Sequence, residues 1–198
     1  MYYPYLRARQ FELIALRELV IDGELKNTVT PILEPVKESF SNLDLAYKVF
    51  KEHDYTTYLI VNPFKGEVSG DNDIVLKYIQ SLDGNTFLPA FHYCDNRIYI
   101  EKCIKDFGLG NCLIIGLDNF SNEEEFKQLA SNNSVTKVML QEPNKNRSVD
   151  RYFRTDDLGI EYKRLDDVFE KQQKNSDFLS IAAHKFLEEH LYYTQEQY

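Results

Sequence analysis

A chain of 198 residues, 43% apolar and 28% charged, is long enough for one domain with a sizeable core. With 32 acidic against 23 basic residues, its net charge of −9 disfavours nucleic acid and anionic membranes as partners, and no run approaches the roughly 18 continuous apolar residues of a membrane span. The three cysteines, Cys94, Cys103 and Cys112, make no C-x-x-C pair, and their odd number argues against a disulfide framework. The opening MYYPYLRARQ has no apolar segment behind a basic one, so a secretory leader is not expected there. The expectation is a cytoplasmic protein folded as a single domain over 1–198.

The chain alternates between two periodicities. Short apolar runs recur about every 25 to 30 residues, and segments of helical period lie between them. Tyr2–Leu6 is the first run, followed by a helix on which Phe11, Ile14, Ala15, Leu16 and Leu19 form the predicted apolar stripe. Thr28–Val36 is the second, followed by a helix from Asn42 carrying Leu45, Val49 and Phe50. Thr57–Pro63 precedes a helix over Asp71 to Leu82, with Ile74, Val75, Tyr78 and Ile79 inward. Thr86–Tyr93 precedes one over Arg97 to Phe107, which Gly108 stops. Cys112–Asp118 leads into Ser121-Asn122-Glu123-Glu124, a helix start of the capping type. Thr136–Pro143 and the weaker Gly159–Leu165 complete the strands, and a last helix is predicted over Phe178 to Leu191.

Runs such as Leu59-Ile60-Val61 and Leu113-Ile114-Ile115 are continuously apolar, as strands buried on both faces are. Parallel strands need crossover helices, so the repeat predicts an α/β fold of βα units. The predicted architecture is a TIM-barrel-like parallel barrel; because about seven strands fall short of eight and 198 residues of the usual ~250, a truncated barrel, an open doubly wound sheet and a barrel closed by a partner chain all stay open.

Each strong run ends on a polar residue: Glu34, Asn62, His92, Asp118 and Glu142. Three of them, Glu34, Asn62 and Glu142, stand directly before proline, which favours extended geometry at the preceding residue. Carboxyl ends of parallel strands converge on one face, where ligand sites form. Glu34, His92, Asp118 and Glu142 are therefore the candidate catalytic residues, by acid–base chemistry or through a divalent metal. Arg7, Asn62 and Arg164 are the candidate substrate-binding residues. The basic stretch of Lys145, Arg147, Arg151, Arg154, Lys163 and Arg164 is interrupted by Asp150, Asp156, Asp157 and Glu161 and reads as a solvated surface. No Walker loop, G-x-G-x-x-G, G-x-S-x-G or H-E-x-x-H occurs.

The opening YYPYLRARQFELIALREL with PILEPVK, and the late YKRLDDVFEKQQKNSDF with EEHLYY, resemble the bacterial and phage "beta protein" family. Arg7, Gln10, Glu12, Glu34, Arg164, Asp166, Lys171, Asn175 and the Glu189-His190 pair sit on the matching motifs. The resemblance implies a barrel-like fold that continues beyond this chain's end and a setting among phage-defence and mobile-element genes. It brings no catalytic role for any residue. Two functions follow as expectations. One is a binding or interaction component of such a system, with a protein partner or self-association. The other is a barrel-type hydrolase or lyase acting on a small anionic or phosphate-bearing substrate.

Overall fold

The computed structural model describes residues 1–117, 120–155 and 158–165. Among them strand and helix alternate throughout: β1 (Tyr5–Leu6), α1 (Gln10–Ile21), β2 (Ile32–Leu33), α2 (Ser41–Glu52), β3 (Thr57–Ile60), α3 (Asn72–Ser81), β4 (Phe87–Tyr93), α4 (Arg97–Asp106), β5 (Cys112–Gly116), α5 (Glu123–Ala130), β6 (Val135–Gln141), α6 (Arg147–Thr155) and β7 (Glu161–Leu165). Sheet order equals chain order, and every neighbouring pair is parallel. No helix among the described residues is long and apolar enough to cross a membrane. The predicted helix over Phe178 to Leu191 lies outside the described residues.

The first two strands are shorter than their apolar runs. Pro31 and Pro35 bracket β2 and Pro4 precedes β1, and proline offers no N–H to a ladder. Beyond them, one isolated parallel bridge joins Tyr2 to Val29.

The sheet is curled into a half-barrel. The Tyr3 hydroxyl, just before β1, donates to Glu161 of β7 at 3.0 Å, and the Lys137 ammonium of β6 donates to the same hydroxyl. In a flat sheet with strands spaced about 4.8 Å apart, β1 and β7 would lie about 29 Å from one another. Only a closing curvature brings those groups into contact.

Alternation along each strand then divides two cores. Ile32, Tyr58, Ile60, Ala90, Leu113, Ile115 and Met139 fill the concave interior, with Tyr3, Tyr5, Leu88, Leu117 and Leu165 packed against them. The opposite faces, among them Leu33, Leu59, Phe91, Ile114, Val138 and Leu140, pack under the helices with Leu13, Phe50, Leu76, Ile100, Phe126 and Phe153. Each such side chain contributes about 1.5–3 kcal/mol on burial, so the outer layer carries most of the stability.

Three helix faces differ from expectation. In α1 the buried positions are Leu13, Leu16 and Val20, while Phe11 is 81% exposed and Leu19 40%. In α2 they are Leu43, Ala46 and Phe50, and Leu45 points outward; in α3, Leu76 joins Val75 and Ile79 inside. Helix α6 was not expected, because Arg147, Asp150, Arg151 and Arg154 mask the i, i+4 pair Val149 and Phe153, both buried. Helix α5 starts on Asn122, whose side-chain oxygen accepts the Glu125 N–H at 3.1 Å.

Candidate functional site

The carboxyl ends of β1 to β4 meet on the concave side. Beyond β2, Glu34 has the inward parity of Ile32, and on β4, His92 has that of Leu88 and Ala90. Both are buried, each only 3% exposed. Tyr5 of β1 completes the group. Its hydroxyl lies 3.0 Å from His92 Nε2, the two rings stack with centroids 6.0 Å apart, and the same hydroxyl shares a hydrogen bond with the Glu34 carboxylate.

Hydrogen bonds fix the remaining atoms. The Phe64 N–H donates to Glu34 Oε1 at 3.0 Å. Asn62 acts as an extra rung beyond β3: its Nδ2 donates to the His92 carbonyl and its Oδ1 accepts the His92 N–H, each at 2.8 Å. Asn96 donates to the same carbonyl at 3.2 Å. The Phe64 ring stacks on the imidazole with centroids 4.8 Å apart and is itself 44% exposed, so one aromatic ring separates His92 from solvent.

Burial pushes the His92 pKa below its ordinary value, against the opposing pull of the Glu34 charge. The imidazole is therefore neutral at pH 7 and carries one N–H. A carbonyl can only accept, so the 3.4 Å contact of Nδ1 with the Asn62 carbonyl places that proton on Nδ1 and leaves Nε2 as an acceptor. Tyr5 is raised far above a normal phenol, first by burial and then by Glu34, with Arg7 pulling the other way. It is a neutral phenol with one proton and two acceptors, Glu34 and His92. Rotation of that one hydroxyl switches its hydrogen bond between the carboxylate and the imidazole and transfers no proton.

Of the residues expected to gather, Glu34, Asn62 and His92 come together, and Arg7, exposed just past β1, acts on Tyr5 by its charge. Asp118 lies outside the described residues. Glu142 is not extended: its φ is +48°, because the chain turns at once toward α6, with the Lys145 N–H bonded to its carbonyl at 2.9 Å. Its carboxylate pairs with Lys145 within that turn.

Arg164 belongs to the other face of β7. With Tyr162 it has outward parity, and its guanidinium makes two bonds to Asp150 of α6, at 2.9 and 2.8 Å. Burial raises the Asp150 pKa, but Arg164 and the Tyr162 hydroxyl outweigh it and hold the carboxylate below its ordinary range. This pair fastens a helix to the sheet and is not part of the mouth.

Two site residues escaped the sequence reading. Tyr5 carried a usable signal, since it stands two positions before Arg7 and shares its parity. Phe64 carried none, because an aromatic in a loop has no periodicity to declare its direction.

As to a metal, among the described residues no group of three or more carboxylate, imidazole or thiol side chains is gathered closely enough to hold one. Glu34 and His92 supply only two ligands.

The fold and the mouth together define a parallel α/β half-barrel with a carboxylate–phenol–imidazole chain inside its carboxyl-terminal end. No family model, curated protein or solved structure matches the chain.

Proposed function

We propose that the chain is a binding protein whose small ligand enters the barrel mouth beside Phe64. The observation that carries this reading is the half-exposed Phe64 ring lying directly on the buried Glu34–Tyr5–His92 group, in which one hydroxyl proton serves two acceptors. Sites with a few convergent polar groups under an apolar cover are the usual form of small-ligand recognition. The resemblance of the terminal motifs to the beta protein family supports placing this role in a phage-defence or mobile-element system, with a protein partner reading the liganded state.

The test is to follow the His92 and Phe64 ring signals by NMR while pools of small compounds are added to the wild type and to Phe64→Ala. A saturable response in the wild type that disappears in the variant is expected. Ring signals that ignore every pool would overturn the reading. For the setting, phage plating on cells expressing the chain with its genomic neighbours should drop, and Phe64→Ala should restore it.

A second reading is favoured by the shared proton of Tyr5. A neutral imidazole and a carboxylate joined through one phenol can divide acid and base roles in a hydrolase or lyase without a metal. It predicts turnover of a bound compound that Tyr5→Phe abolishes while binding persists.

A further inference from the structure

Helix α1 is apolar round its circumference. Leu13, Leu16 and Val20 are buried, whereas Phe11, Ala15 and Leu19, at i, i+4 and i+8, form a second apolar row that stands exposed, and Ile21 is exposed with them. By contrast, α2 and α4 each expose one large apolar side chain, Leu45 and Ile98, as surface helices ordinarily do. A helix that is apolar on every side is normally covered on every side. Helix α2 packs along α1 and leaves this row open.

The place of α1 in the half-barrel limits what can cover it. Sheet order follows chain order, and crossovers between parallel strands are right-handed, so a helix following β7 advances past β7. There the next strand is β1, with the Tyr3 hydroxyl bonded to Glu161 across the gap at 3.0 Å. A helix laid over that gap on the outside stands between α6 and α1, about 8–10 Å from the α1 axis. Residues 166–198 follow β7, and the helix that the sequence predicts over Phe178 to Leu191 has a matching pattern. Phe178, Ala182 and Phe186 make one i, i+4, i+8 row, and Leu179, Ala183 and Leu187 make the next. Each of them, like Phe11-Ala15-Leu19, sets an alanine between two large side chains, the alternation that lets facing rows interdigitate. Residues 166–177 can span about 40 Å when extended, more than the connection requires.

We propose that residues 178–191 of this chain dock as a helix against the Phe11-Ala15-Leu19 row and close the outer layer between α6 and α1. A second copy fits this row less well. In an antiparallel α1 pair centred on Ala15, Glu12 of one copy opposes Glu18 of the other, and so few side chains fall short of the roughly 800 Å² per partner of a stable interface. The docked segment takes up this apolar face within the chain, so a protein partner must read another surface. The mouth plays no part in it, and the two readings stand or fall separately.

The test uses the full chain. Native-state hydrogen exchange followed by NMR should show the amides of 178–191 protected on the order of 100-fold, with nuclear Overhauser contacts from the Phe11 ring and Leu19 methyls to that segment. Phe11→Ser combined with Leu19→Ser leaves Leu13, Leu16 and Val20 in place. It should abolish the protection of 178–191 while α4 and β5 keep theirs. Absence of protection in the wild type overturns the proposal, as does protection that survives in the double variant. Sedimentation equilibrium should give a monomer; a dimer that the double variant dissociates would assign the row to a second copy and overturn it too. If the double variant fails to fold, the wild-type contacts decide, and a Phe11 ring that touches nothing in 178–191 sinks the idea.

Discussion

His92 is where the chemistry of the mouth becomes measurable. The imidazole faces Glu34, the Tyr5 hydroxyl, the Asn62 carbonyl and the Phe64 ring, and burial holds its pKa below the 6.5 it has in the unfolded chain. Below that pH the unfolded chain takes up a proton that the native state refuses, so stability is full above 6.5 and falls as pH drops toward the native value. Urea midpoints measured from pH 7.5 to 5 should decline in the wild type and decline less in His92→Gln. Parallel curves for the two proteins would show that the imidazole is not held neutral. Tyr5→Phe removes the one proton that two buried acceptors share. It should cost about 1–3 kcal/mol in urea unfolding with no change in the slope m, and a loss under a few tenths would mean that water replaces the hydroxyl.

The elements show a second kind of constraint, set by the backbone. Gly66 has φ +88°, and a Cβ there would sit 2.3 Å from the Val36 carbonyl oxygen, so strain and collision act together. Gly66→Ala should destabilise by about 2–4 kcal/mol and should also displace Phe64, read as loss of its ring contact with His92; an unshifted melting temperature contradicts the packing described. The strand–helix rhythm and the parallel sheet were legible because continuous apolar runs and helical periods are properties of composition along the chain. Helix faces were not. In α1, Leu13, Ile14, Ala15, Leu16, Leu19, Val20 and Ile21 surround the axis, so periodicity alone could not choose Leu13, Leu16 and Val20. The strand-end rule found Glu34, Asn62 and His92 but could not find register. Arg164 depends on a parity visible only once β7 is known to begin at Glu161, and Glu142 on a turn tight enough to override its proline neighbour.

At the scale of the whole molecule, the curl of the sheet is held from inside by a contact among three strands. The Lys137 side chain is 9% exposed and reaches the Tyr3 hydroxyl, sits 4.3 Å from the Tyr3 ring centroid and 5.4 Å from that of Tyr58, and lies 3.0 Å from Glu161 Oε2. Glu161 is 46% exposed, and although burial raises its pKa, the Lys137 ammonium outweighs that and lowers it. The two partners are therefore not equivalent. Glu161→Gln strands an ammonium inside the barrel, whereas Lys137→Met returns a half-solvated carboxylate to water and leaves an apolar stem against two tyrosine rings. Glu161→Gln should cost about 1–2 kcal/mol and Lys137→Met less, with the double variant close to Lys137→Met rather than to the sum. A double-mutant cycle by chemical denaturation measures this directly. Additive losses would mean that the ion pair is incidental and that the interior tyrosines and aliphatic side chains alone set the curvature.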